Sequence, residues 1–210
     1  MDVKLDHILL GAPDLDAASA AFAEVTGVVP TTGGSHPGFG TRNKLASIGP
    51  DVFWEVMAPD PAQDIKGRAR AELIAGWSGP ALLTYCVQTT DFEGLMARAA
   101  AAGLEVREPM AMSRTRPDGV KLSWRVVHFH HPVFGLLIPF AIDWMGSPHP
   151  ATTSPAGCVL RSFTVMHPDA AGLSAVYGAM GLDVVVQGGL RGGMVAVLDT
   201  SNGAVGFVSP

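Results

Sequence analysis

The chain has 210 residues, enough for one large domain or two small ones. Its 14 basic and 19 acidic residues leave a net charge of −5 and a pI near 5.7, which speaks against a nucleic-acid protein, whose footprint is a basic stripe. An apolar fraction of 48% and a mean hydropathy of +0.28 exclude a disordered chain.

The opening residues MDVKLDHILL place two Asp before a short apolar run. That pattern is unlike a secretory leader, so a cytoplasmic protein is expected. Residues 4–15, KLDHILLGAPDL, read as a strand and a turn ending in Asp14. A helix is predicted from Leu15 to Thr26, capped by Asp14 and stopped by Gly27. A strand re-enters at GVVPT, and two more are predicted over Asn43 to Ile48 and Val52 to Met57, around the turn Gly49-Pro50-Asp51.

The same succession returns at residues 81–92, ALLTYCVQTTDF. Here the predicted elements are a helix from Phe92 to Ala102, a stop at Gly103, a strand in GLEVREP, and strands over Val120 to Phe129 and Leu136 to Asp143. It returns again at residues 159–170, VLRSFTVMHPDA, with a helix from Ala170 to Met180, Gly181, GLDVVVQ, and strands over Met194 to Leu198 and Ala204 to Val208. The spacing from capping Asp to terminating Gly is 13, 12 and 12 residues. The longest late apolar run, Val133 to Ile142, contains Pro139 and is too short to span a membrane.

The fold class expected is therefore α+β, built from repeated β-α-β-β-β modules at 1–58, 80–145 and 158–210. Residues 59–79 and 146–157 are read as linkers. One module leaves a curved sheet face bare, and two together close a barrel of curved sheets around a small-molecule cavity. A third, unmatched module points to a homodimer. Cys86 and Cys158 read as buried small hydrophobes, and Cys86 has no neighbouring base that would make it a nucleophile.

With this repeat, the chain resembles the vicinal oxygen chelate superfamily, the glyoxalase, bleomycin-resistance and extradiol-dioxygenase fold. More narrowly, it resembles that superfamily's glyoxalase-like domain family. The segments that carry the likeness are Leu5-Asp6-His7, GSHPGFGTRN (Gly34 to Asn43), VFWEV (Val52 to Val56), MSRTRPDGVKLSW (Met112 to Trp124) and PFAIDW (Pro139 to Trp144). The resemblance implies metal ligands at His7 and Glu55, with zinc, manganese, iron or nickel as the divalent ion. Strand alternation places His7 with Leu9, and Glu55 with Phe53 and Met57. Such a pair is either half a metal site or a hydrogen-bonded His–Glu pair with no metal. Counting back from Asp91 as His7 counts back from Asp14 lands on Thr84, which is not a usual ligand. His36, His128 or His130 are the further nitrogen donors in reach of the pattern.

GSHPGFGTRN is read as a glycine-rich connection over the cavity rim, with His36, Thr41 and Asn43 as polar tips. His36 is a candidate acid or base beside Glu55, or a turn cap. SRTRPDG is read as a hairpin turn. In it, Arg114 either clamps a substrate carboxylate or pairs with an acid of the chain, and Arg116 is read as a solvated charge. Trp124 either walls the pocket or joins the core. His128, His130 and His131 in HFHHP read as turn histidines, and His149 and His167, each before Pro or in a linker, as structural.

The function expected is an enzyme acting on a small oxygenated metabolite, through a metal that chelates the substrate. The alternatives are a metal-free binding protein of the bleomycin-resistance type and a regulatory protein with a vestigial pocket. A small-molecule ligand is expected, with neither nucleic acid nor membrane as partner.

Overall fold

The computed structural model describes residues 3–115 and 119–210. The fold is α+β. The elements follow in the order β1 (Lys4–Gly11), α1 (Leu15–Thr26), β2 (Thr31–His36), β3 (Thr41–Ser47), β4 (Phe53–Pro59), α2 (Ala69–Ala75), β5 (Ala81–Gln88) and α3 (Phe92–Ala101). Then come β6 (Glu105–Val106), β7 (Met110–Thr115), β8 (Lys121–Val127), β9 (Phe129–His130) and β10 (Phe140–Asp143). The last five are β11 (Val159–His167), α4 (Ala170–Met180), β12 (Val185–Gly188), β13 (Gly193–Thr200) and β14 (Gly203–Val208). Hydrogen bonding orders eight strands as β2-β3-β4-β1-β5-β10-β8-β7 and four as β12-β11-β13-β14, and it pairs β6 with β9.

Packing divides the chain into two compact units. The first comprises Met1–His7, Thr84–His149 and Phe163–Val195, and the second Ile8–Leu83, Pro150–Ser162 and Ala196–Pro210. Strands β1, β5, β11 and β13 contribute residues to both.

In the second unit α1 begins at Asp14, whose carboxylate accepts from the N–H groups of Asp16 and Ala17. It ends at Gly27, at φ 74°, where a side chain would be strained. Leu15, Ala18 and Phe22 form its buried stripe. Phe22 stacks on Trp54 of β4 at 5.6 Å, and Phe207 closes on Trp54 at 4.7 Å. Strands β3 and β4 pair antiparallel, Leu45 opposite Glu55 and Asn43 opposite Met57.

In the first unit β10 runs parallel to β5, with Phe140 opposite Cys86, and antiparallel to β8, with Ile142 opposite Val126. β7 continues that sheet, placing Met112 opposite Trp124 and Arg114 opposite Leu122. Helix α3 is held over it by Arg125, whose guanidinium binds Glu93 at 2.7 Å and Asp143 at 3.1 Å. Helix α4 is anchored by Tyr177, which donates to the Leu137 carbonyl at 2.5 Å.

Several sequence expectations give way here. GVVPT is a connection, and the strand starts at Thr31. Gly34 to Asn43 is not an open loop: it is a hairpin, with His36 paired to Thr41 and only residues 37–40 turning. Glycines suggest looseness, but the ladder satisfies their backbone groups. The linker 59–79 contains α2, whose Ile74 packs against the bare Cα of Gly11. Leu136 to Asp143 starts as a 3₁₀ turn and becomes a strand only at Phe140. Val120 to Phe129 is broken after Val127, because β9 leaves the sheet to pair with β6.

Candidate functional site

In the second unit, four residues expected at the site meet across three adjacent strands. Glu55 on β4 is buried, and its Oε1 accepts from Asn43 Nδ2 at 2.6 Å. His36 Nε2 lies 3.2 Å from the same Asn43 amide nitrogen and 3.9 Å from Glu55 Oε1. Nδ1 of His36 and Oγ1 of Thr41 are hydrogen-bonded at 2.9 Å. The His36 ring is 20% exposed and the Glu55 carboxylate 6%, so the pair runs from the surface into the interior.

The sequence builds this cluster locally. Register puts the Asn43–Met57 pair two positions along from the Leu45–Glu55 pair, on the same face. A register shift between Thr32 and Gly34 lets Asn43 Oδ1 accept from the Gly34 N–H at 2.8 Å. The approach is so close that a Cβ on Gly33 would sit 2.1 Å from that oxygen. The hairpin turn is clamped from outside: Gln63 Oε1 accepts from the Gly38 N–H at 2.9 Å. Gln63 Nε2 donates to Ser35 Oγ and to Asp60 Oδ2, each at 2.9 Å. The Ser35 hydroxyl, then Gln63, hold the Asp60 carboxyl below its ordinary value.

In the first unit a second cluster forms around Asp6. This carboxylate is fully buried, and Oδ1 faces His7 Nδ1 at 2.5 Å. Its Oδ2 accepts from Trp144 Nε1 at 2.8 Å and His149 Nε2 at 3.0 Å. Burial pushes this carboxyl up, but the hydrogen bonds from His149 and His7 outweigh burial, and the net shift is downward. Among the described residues, Asp6, His7 and Cys86 are all buried and present ligand atoms within 4.8 Å of one another. His7 meets the Phe140 ring edge-on at 5.5 Å, and His128 lies 5.1 Å from the same ring.

The expected site residues thus separate into two groups. His36, Thr41, Asn43 and Glu55 come together in the second unit, while His7 belongs to the first. Trp124 is half-buried and packs on Trp144 at 5.7 Å, and Arg114 is half-buried two residues along from Met112, which pairs with Trp124. Arg116 lies outside the described residues. His131 and His167 accept backbone N–H groups through Nδ1 and finish turns, as structural histidines do. Sequence reasoning gave Trp144 no role at the site, and read His149 as structural and Cys86 as a buried small hydrophobe, which it is. The first two reach Asp6 across 138 and 143 residues, a separation no local pattern reports. Cys86 was legible: it shares a strand face with Thr84.

The model of a family described as "Glyoxalase-like domain" matches residues 5–181. The chain belongs to this glyoxalase-like family. No curated protein matches the sequence. Among solved structures, a hypothetical protein from Staphylococcus aureus is 20% identical, covers 100% of this chain and 86% of its own, and superposes with a TM-score of 0.68. Methylmalonyl-CoA epimerase from Mycobacterium tuberculosis is 19% identical over 71% of this chain and 92% of its own, with a TM-score of 0.51. The Streptomyces coelicolor epimerase (S115T), in complex with 2-nitronate-propionyl-CoA, gives 18%, 69% and 96%, with a TM-score of 0.50. At these identities the likeness is one of fold. Among the described residues of this glyoxalase-like chain, no helix is long and apolar enough to cross a membrane.

Proposed function

We propose that the chain is an enzyme that moves a proton on a small oxygenated metabolite, with Glu55 as proton acceptor and His36 as its partner. The observation that carries this reading is the single oxygen Glu55 Oε1, held by Asn43 at 2.6 Å and faced by His36 Nε2 at 3.9 Å. A buried carboxylate beside an imidazole can take a proton from a substrate and pass it toward solvent. Histidine suits that second role because its ordinary pKa lies near neutrality. Thr41 orients the ring, and Asn43 keeps the carboxylate in one rotamer.

A divalent metal is proposed separately for the first unit, whose donors fit one. His7 has its Nδ1 on the Asp6 carboxylate, the outer-shell arrangement that orients metal-bound imidazoles. His7 would hold the ion. A bound ion supplies Lewis-acid polarisation of a substrate oxygen.

The test incubates the protein in D2O with a panel of hydroxy acids, keto acids and acyl thioesters, and follows deuterium entry by mass spectrometry. Exchange should fall more than about 100-fold in Glu55→Gln and in His36→Ala. Metal content, measured on the same preparations, should drop in His7→Ala. Exchange that survives both Glu55→Gln and His36→Ala overturns the proton-transfer reading. Ligand binding without exchange, seen as quenching of tryptophan fluorescence, would favour sequestration instead.

A further inference from the structure

We propose that Cys86 is a thiolate ligand of the metal that His7 binds, making the first-unit site a nitrogen–sulfur site for a borderline-soft divalent ion such as zinc or cobalt. This rests on the metal reading above and assigns the donor that reading lacks.

Four observations converge. Asp6, His7 and Cys86 bring ligand atoms within 4.8 Å of one another, and all three are buried. Asp6 is committed elsewhere: one oxygen takes the His7 ring, and the other takes Trp144 and His149. A carboxylate with three N–H donors acts as an orienting group, and the Cys86 thiol donates to the Val87 carbonyl at 3.6 Å, a weak bond that a metal–sulfur bond would replace. Thr84, on the Cys86 face of β5, donates its hydroxyl to the Leu136 carbonyl at 2.8 Å and so is spent on the backbone. Finally, the surroundings are buried and aromatic, with Phe140 paired opposite Cys86 and lying edge-on to His7.

The chemistry follows from the donor types. A buried thiol stays protonated unless a cation compensates its charge. As the ion binds, the S–H bond gives up its proton to solvent and a metal–sulfur bond forms. Thiolate and imidazole together select zinc or cobalt(II) over magnesium and manganese, which prefer oxygen donors.

Cobalt(II) chloride is the probe, titrated into chelator-stripped full-length protein. Thiolate coordination gives an intense near-ultraviolet charge-transfer band, which oxygen and nitrogen ligands alone do not. The chain has two cysteines, so Cys158→Ser attributes the band without touching Cys86. The expected result is a band that saturates at one equivalent in wild type and in Cys158→Ser, and that added zinc bleaches. Cys86→Ser and Cys86→Ala should lose the band and bind cobalt more than about tenfold more weakly, with circular dichroism confirming their fold. Cobalt binding without the band in wild type, or a band lost in Cys158→Ser, overturns the Cys86 assignment and leaves the metal reading standing. No cobalt binding by wild type overturns both.

Discussion

Asn43 on β3 donates its amide to Glu55 on β4 at 2.6 Å, while its carbonyl oxygen accepts from the Gly34 N–H on β2 at 2.8 Å. One side chain therefore ties three strands and one buried acid together. Its two ends have opposite hydrogen-bonding character, as the two partners require. No other residue type of that size offers both.

Gly33 should be intolerant of any side chain. A Cβ there would lie 2.1 Å from Asn43 Oδ1, so Gly33→Ala must displace the Asn43 amide and release Glu55. The expected cost is about 1–3 kcal/mol, read as a lower urea midpoint. Gly33→Ala and Asn43→Ala should be strongly non-additive, because both break the same latch.

Asp6→Ala removes one acceptor and strands three N–H donors, those of His7, Trp144 and His149. The loss should be about 3 kcal/mol, measured by urea denaturation. Asp6→Asn keeps the shape and should cost less. In both variants Trp144 loses its acceptor, so its fluorescence should change.

Asp60 predicts an acid-sensitive hairpin. Its carboxyl is held below the ordinary 3.8 by the Ser35 hydroxyl, at 2.5 Å, and by Gln63. A carboxyl held low in the folded state adds stability above its unfolded pKa, and that contribution drains away as pH falls through the folded value. Wild type should therefore lose stability more steeply than Asp60→Asn as pH drops below about 4. At neutral pH the gap between them should be constant. Urea midpoints across a pH series check this, and parallel curves would contradict it.

Asp14 caps α1 through two backbone N–H groups at 2.8 and 2.9 Å. Asp14→Ala should cost about 1 kcal/mol, and Asp14→Ser much less. A thermal melt of each variant distinguishes them.

Much of this was readable before any coordinates. The N-cap Asp residues and the Gly stops placed α1 and α4 at their observed bounds, because capping is settled within a few residues. Other elements escaped for physical reasons. Helix α2 is seven residues long with no side-chain cap, so it carries no start signal; it exists because Ala71 and Ile74 are buried. The Gly34 to Asn43 hairpin hides behind its glycines, since what orders it is the ladder to β3 and the grip of Gln63. Cys86 is buried, as the sequence reading has it, but it was not weighed as a ligand because the count from Asp91 lands on a single position, although a strand exposes every second residue on one face.

The sequence by itself determined the kind of chain this is: an α+β fold with three strand–helix successions, and His7, His36, Asn43 and Glu55 as residues to watch. Those features rest on local rules of capping, alternation and composition. Which side chains touch was decided only by tertiary structure. Asp6 finds Trp144 and His149 at the far end of a long chain segment, and Cys86 finds His7 across two strands. Hydrogen bonds and metal sites act over a few ångströms in space, and the distance along the chain between their partners has no bearing on that reach.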